Sequence, residues 1–322
     1  MGYKLAGCEV LGCCEIDPKM NDIYITNHHP KYNFLMDIRD FNALPNEQIP
    51  KELFDLDILD GSPPCTTFSM AGEREDSWGK KKKFREGQAE QTLDDLSFVF
   101  IETVKKLQPK TVIMENVEGL LLGEAFAYVR RIYEEFNNAG YRLKHWLLEG
   151  EKMGIPQTRH RVFFVAVRKD IFFDLDEVDM YFNYAPVTYH EIKDGNGRPL
   201  KEDSTFRKIA EQANDYERTI AETRERLGKK GAAFQTFYIR DNMTLPTVRS
   251  RPDFIELENM SYVSFGTVRN AQTFPQDYDF HPNTYSNTSY VCGMSVPPIM
   301  MKRVVTRLIE SGLYDYKVKE AQ

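Results

Sequence analysis

The sequence predicts an α/β fold, a Rossmann-like, doubly wound and mostly parallel sheet covered by helices, with a smaller second domain. Two observations lead there. From the start to about residue 170, short apolar runs alternate with segments of helical periodicity, which is the pattern of strand–helix–strand units. After about residue 170 the apolar runs thin out and charges and aromatics take over, marking an inserted region of different construction. A chain of 322 residues is long enough for one large domain and a smaller one, and its 41% hydrophobic content is ordinary for a globular protein.

The elements follow in order. CEVLGCCEID, Cys8 to Asp17, reads as a strand ending in acids, and FLMDIRDF, Phe34 to Phe41, as a second strand edge. FDLDILD, Phe54 to Asp60, alternates apolar and acidic residues with period 2 and makes a third strand. QTLDDLSFVFIETVKKLQPK carries helical spacing and is stopped by Pro109. TVIMENV, Thr111 to Val117, is a fourth strand. EAFAYVRRIYEEFNNAG is a helix ending at Gly140, and RVFFVAV, Arg161 to Val167, is the most β-prone run. A polar, helix-like stretch runs from Phe206 to Leu227. SVPPIMMKRVVTRLIESG resumes helical periodicity, opened by two prolines and closed by Gly312. No repeat or low-complexity tract interrupts this order.

Composition narrows the function. No run approaches the roughly 18 apolar residues of a membrane span, and MGYKLAGCEVLGCCEID lacks the basic start and apolar core of a signal peptide. The reading is a cytoplasmic protein with no membrane partner. Cys8, Cys13, Cys14, Cys65 and Cys292 are odd in number and lack metal spacing, so neither disulfides nor a metal site is expected. The net charge of -7 speaks mildly against a general nucleic-acid coat protein, but the run WGKKKKFREGQ concentrates Lys80, Lys81, Lys82, Lys83 and Arg85 in one loop.

The chemistry gathers at strand ends, where doubly wound folds collect ligands. Glu15 with Asp17, Asp37, Cys65 and Glu115 with Asn116 all fall there. A lone cysteine is most often a small buried apolar group. Cys65 instead follows a strand inside DGSPPCTTFS, where the prolines stiffen the loop and present the thiol. An acid at one strand end can accept both hydroxyls of a ribose, and an acid one strand on can accept from an adenine amine. Together these residues suggest a nucleoside-bearing cofactor beside a nucleophile.

SPPCTTFS, ENV at Glu115 to Val117, QTRHR at Gln157 to Arg161, VRNAQTFPQDYDF and the closing GMSVPP resemble, in order and spacing, the motifs of the cytosine-5 DNA methyltransferases. The resemblance implies the S-adenosylmethionine-dependent methyltransferase fold. It divides the chain into a catalytic first part at 1–170, a target-recognition region at 171–265, and a return to the catalytic domain at 266–322. It makes Cys65 the thiolate nucleophile for carbon 6 of a flipped cytosine and Glu115 the acid at ring nitrogen 3. Arg159 and Arg161, taken as sharing one strand face, would hold the base carbonyl and a phosphate. Cofactor contacts fall to Glu15 and Ile16, Asp37 and Ile38, Pro64 and Leu96, and Ser295 with Val296. Met294 departs from the family's usual Asn.

The implied partner is double-stranded DNA, gripped in part by Lys80 to Lys83 and Arg85, with a monomer working beside a cognate restriction endonuclease. Arg198, Arg207, Lys229, Lys230 and Arg240 are candidate readers in the recognition region. Two other functions stay open: the same chemistry on transfer RNA, and a catalytically impaired DNA-binding relative. The Gly-rich turn FxGxGG that opens family members has no counterpart here, because GYKLAGCEV reads as the second half of the helix that follows it. The expectation is a natural protein extending about 15 to 20 residues upstream, and weak cofactor binding by the chain as it stands.

Overall fold

The computed structural model describes residues 1–63, 96–229 and 236–315. Pro64, Cys65, Lys80, Lys81, Lys82, Lys83, Arg85 and Lys230 lie outside the described residues. The chain forms two compact units, one of residues 8–148, 160–181 and 304–322, the other of residues 1–7, 149–159 and 182–303. The sequence boundaries at 170 and 265 differ from this division: it runs the second unit on to residue 303, and passes between the units at Arg159–His160.

The helices are α1 (Gly2–Leu5), α2 (Pro18–His28), α3 (Ile38–Ala43), α4 (Leu96–Leu107), α5 (Phe126–Asn138) and α6 (Tyr189–Ile192). They continue with α7 (Thr205–Ala210), α8 (Ile220–Arg226), α9 (Phe265–Ala271), α10 (Tyr285–Met294) and α11 (Pro298–Glu310).

In the first unit, β1 (Gly12–Glu15) pairs in parallel with β2 (Tyr32–Leu35). A separate ladder runs in the order β3 (Ile58–Gly61), β4 (Thr111–Val117), β7 (His160–Arg168) and β5 (Tyr141–Glu149). β3 and β4 are parallel, and β4 and β7 antiparallel. The two ladders share no hydrogen-bonded strand pair among the described residues.

β4 and β7 are buried on both faces, which is why each reads as an unbroken apolar run instead of an alternation. Phe100, Ile101 and Val104 of α4 and Val129, Ile132 and Phe136 of α5 pack with Val112, Met114, Val162, Phe164 and Ala166. Each of these side chains except that of Ala166 stabilises by roughly 1.5–3 kcal/mol. α4 approaches β3 so closely that a Cβ on Gly61 would lie 2.5 Å from the Phe100 ring. Gly61 is therefore the residue that lets this helix seat. α5 ends short of Gly140 at φ +94 and α11 short of Gly312 at φ +78, the left-handed stops their sequences signal.

Two expected elements change, and a helix appears beyond those expected. FLMDIRDF is not one strand: β2 stops at Leu35, and Asp37 turns the chain by accepting from Arg39 N at 2.8 Å as the N-cap of α3. The additional helix, α2, starts at a cap, Asp17 accepting from the backbone of Lys19 and Met20 with Pro18 at the first position. The polar stretch from Phe206 is two helices, α7 and α8, because Thr219 and Glu222 form a capping box that starts α8 afresh.

The second unit holds a four-stranded sheet in the order β8 (Arg198–Pro199), β12 (Ser261–Tyr262), β11 (Asp253–Glu256) and β9 (Thr236–Ile239). Leu200, Ile209, Ala210, Ile220, Tyr238 and Ile255 form a small core between its face and α7 and α8. β6 (Gln157–Thr158) and β10 (Leu245–Pro246) make a short parallel pair in the same unit.

Candidate active site

Glu115 sits near the carboxyl end of β4, 8% exposed, and receives Arg161 Nε at 2.8 Å on Oε1. The register explains the meeting. Val117 stands opposite Arg161 and Glu115 opposite Phe163, so Glu115 and Arg161 are diagonal neighbours on one face of an antiparallel pair. Arg161 Nη1 also donates to His160 O at 2.7 Å, which holds the guanidinium across the strand.

Asn116, one residue on and pointing the other way, is 3% exposed. Its Oδ1 accepts from Val117 N at 2.8 Å, and its Nδ2 donates to Pro63 O at 3.3 Å. The end of β4 thus anchors the loop that leaves β3 two residues before Cys65. Among the described residues, burial raises the thiols of Cys8, Cys13, Cys14 and Cys292, with Cys13 pushed up to about 11 and Cys14 to about 12. Nearby carboxylates add to this at the first three: Asp57 at Cys8, and Glu15 at Cys13 and Cys14. None of the four is poised as a thiolate at neutral pH.

Glu15 and Asp37 lie at the ends of neighbouring parallel strands. Glu15 is the last residue of β1, opposite Leu35, and its carbonyl accepts from Met36 N at 3.1 Å. Its side chain accepts from Asp17 N at 2.8 Å. Two half-buried carboxylates one strand apart fit a ribose diol and an adenine amine as hydrogen-bond acceptors, the set the sequence expects there. Ile16 is half-buried beside Glu15, and Ile38 packs on the core of the first unit. Leu96 opens α4 and is 7% exposed.

Arg159 departs from its expected role. It precedes β7 instead of sharing a strand face with Arg161, and it is 2% exposed. Its guanidinium donates to Val248 O at 3.1 Å, Gly293 O at 3.2 Å and Ser295 O at 2.8 Å. A side chain so engaged inside the second unit holds backbone and not a base. Ser295 caps the end of α10 with Oγ on Val291 O at 2.6 Å, Val296 is half-buried, and Met294 is 49% exposed.

The candidate readers divide. Arg240 donates to Glu217 O and Asn214 O, so it ties the end of β9 to the segment between α7 and α8. Arg207 pairs with Glu211 at 2.8 Å along α7. Arg198 is exposed, with its guanidinium 4.9 Å from the centre of the Tyr262 ring opposite it. Lys229 is exposed. Sequence reasoning missed the part played by Gln157 and Gln272, although both stand in the motifs QTRHR and VRNAQTFPQDYDF. The missed signal is an amide, a group rarely buried without partners, inside each motif.

The family model for C-5 cytosine-specific DNA methylases matches residues 1–310 of this chain. The chain belongs to that family. Among relatives of the chain, type II methyltransferase M1.HphI of Haemophilus parahaemolyticus is 26% identical over 96% of the chain and 83% of its own length. Type II methyltransferase M.FnuDI of Fusobacterium nucleatum is 31% identical over 53% of the chain, a match spanning 44% of the relative. With M.SPRI of Bacillus phage SPR and M.Rho11sI of Bacillus phage rho11s the match spans 34% and 29% of the relative, so the chain covers less than half the length of several relatives. Two solved structures share its fold. A DNA modification methyltransferase from an E. coli prophage superposes with a TM-score of 0.63 at 19% identity, covering 96% of this chain and 94% of the other. The S. pombe Dnmt2 methyltransferase does so at 0.61 and 17%, over 96% and 94%. No helix among the described residues is long and apolar enough to cross a membrane.

Proposed function

We propose that this protein transfers a methyl group to carbon 5 of cytosine in duplex DNA, in a sequence-specific manner and through a transient bond to Cys65. The observation that carries the proposal is the buried Glu115–Arg161 pair at 2.8 Å, one residue from the Asn116 bond to Pro63 O. It supports the reading because it sets a carboxyl group at the end of β4, one residue from the side chain that holds the Cys65 loop as it leaves the neighbouring β3. Membership in the family supports the same reading.

The residues divide the work. The Cys65 thiolate adds to carbon 6 of a cytosine turned out of its stack, which costs a few kcal/mol of unstacking. The electron pair displaced from the ring double bond moves toward carbon 5 and nitrogen 3. Glu115, protonated or hydrogen-bonded there, relieves that charge, and Arg161 holds the carboxyl group in its orientation. Once carbon 5 carries its methyl group, loss of the carbon 5 proton expels the thiolate and restores the ring. S-adenosylmethionine supplies the methyl group when bound. Glu15 and Asp37 would hold its ribose and adenine, with Ile16, Ile38, Pro64 and Leu96 beside them, and the family resemblance assigns Ser295 and Val296 to cofactor contact as well. Lys80 to Lys83 and Arg85 would neutralise phosphates, with the protein acting as a cytoplasmic monomer beside a cognate nuclease.

Transfer of labelled methyl groups from S-adenosylmethionine to duplex DNA tests this, with transfer RNA as the parallel substrate. Labelled DNA, and a covalent adduct on DNA carrying 5-fluorocytosine, are the expected results. Label in transfer RNA alone would overturn the DNA assignment, and active protein without the adduct would remove Cys65.

A further inference from the structure

Gln157, Arg159 and Gln272 close a ring of hydrogen bonds inside the second unit. Gln157 Oε1 accepts from Val248 N at 3.0 Å, and its Nε2 donates to Gln272 Oε1 at 2.7 Å and to Ala271 O at 2.8 Å. Gln272 Nε2 donates to Ser295 O at 2.7 Å. Arg159 Nη2 donates to the same carbonyl at 2.8 Å, and Nη1 returns to Val248 O at 3.1 Å. The three side chains are 0%, 2% and 0% exposed.

The ring specifies its own orientation. Val248 N can only donate and Ser295 O can only accept, so each amide has one allowed direction. Turning either over would face like against like at a buried site. A second contact joins the same two segments. A Cβ on Gly293 would lie 2.1 Å from Ser250 N and 2.2 Å from Arg249 C, so the end of α10 touches the Arg249–Ser250 backbone directly. Beyond Val248 the chain carries two cations, Arg249 with its guanidinium 5.4 Å from the centre of the Phe237 ring and the exposed Arg251. Charges of that sign suit a phosphate backbone.

We infer that Gln272 is a positioning residue that makes cofactor binding and DNA binding interdependent, by fixing the Ser295–Val296 backbone to the Val248–Arg251 loop. The inference rests on the reading of Ser295 and Val296 as cofactor contacts. The factor by which one ligand tightens the other must be the same in both directions, because coupling between two ligands is reciprocal.

The test is a binding cycle. S-adenosylhomocysteine affinity is measured by calorimetry with and without duplex DNA, and DNA affinity with and without S-adenosylhomocysteine, for wild type and Gln272→Met. Wild type is expected to show mutual tightening of about 10-fold, within the range of ordinary coupling energies. In Gln272→Met the factor falls to about 3-fold, since Arg159 still joins Ser295 O to Val248 O, while each ligand alone still binds within about 3-fold of wild type. A purely structural role would weaken both ligands and leave the factor standing. A variant that keeps the wild-type factor, or a wild type with no mutual tightening, overturns the inference. Wild type that binds neither ligand overturns the functional reading itself, which is a distinguishable result. Should Gln272→Met lose its cooperative melting transition, Gln157→Met cuts the ring at another member and carries the same prediction.

Discussion

Arg159 and Arg161 are two residues apart, carry the same group, and belong to different compact units. Arg159 is buried and donates to three peptide carbonyls in the second unit. Arg161 reaches a carboxylate in the first unit and keeps 15% of its side chain exposed. A guanidinium held by carbonyls adjusts nothing during a reaction, since its partners are fixed backbone. One that faces a carboxyl group sets the orientation and charge of a group able to donate or accept a proton. The same residue type in one short motif therefore braces backbone in one case and orients a buried carboxyl group in the other.

The comparison can be broken in order of expected effect. Cys65→Ser is expected to bind DNA and lose methyl transfer by on the order of 10⁴-fold or more, because a hydroxyl ionises far less readily than a thiol. Single-turnover transfer to labelled duplex measures it, and substantial residual rate would detach Cys65 from the site that Arg161 serves. Arg161→Ala should melt within a few degrees of wild type yet lose about 10²- to 10³-fold in kcat, the scale of one lost transition-state hydrogen-bond partner. Unchanged turnover there would place Arg161 with Arg159, as a brace.

Arg159→Met should do the reverse. Removing the donor takes a partner from three peptide carbonyls, of which Ser295 O keeps Gln272 Nε2, at about 1–3 kcal/mol for each left unpaired where water cannot reach. Urea unfolding should show the loss, and a stable variant with impaired turnover would reverse the two assignments. Neutralising Lys80 to Lys83 should weaken DNA binding and flatten its dependence on log salt by up to about 0.9 for each phosphate no longer neutralised, leaving sequence preference in place. The smallest effect concerns acid. Arg226, aided by hydrogen bonds from Asn214 N and Thr223 Oγ1, holds the buried Glu217 carboxyl down to about 2. Its folded value lies below the ordinary one of about 4.3. The stability it contributes is therefore present above about pH 4.3 and lost as pH falls toward 2. The gap between wild type and Glu217→Gln in urea should close over that window. A constant gap would mean that the carboxylate's charge is immaterial.

Much of the first unit was legible in the sequence. TVIMENV is β4 with the bounds its letters suggest, and RVFFVAV is β7 within one residue at each end. Both are buried on two faces, so apolar character is continuous and unmistakable. β5 was not seen. YRLKHWLLE interleaves apolar side chains with charged ones on a half-exposed strand, and it competes with helical spacing over so short a run. α3 was hidden for another reason: Met36 and Ile38 continue the apolar look of β2, and only the Asp37 cap separates them.

By itself the sequence determined which residue types stand at the strand ends and in what order: Glu15, Asp37, Glu115 and the QTRHR segment. Those positions follow from local propensity and from motifs that are contiguous in the chain. Only the tertiary structure decided which partners they meet. The pairing of Glu115 with Arg161 depends on the antiparallel register of β4 and β7, strands that begin 49 residues apart. The burial of Arg159 depends on carbonyls 89 to 136 residues away. A guanidinium looks the same in the sequence whatever it donates to, and contacts over such separations are set by packing rather than by any neighbour in the chain.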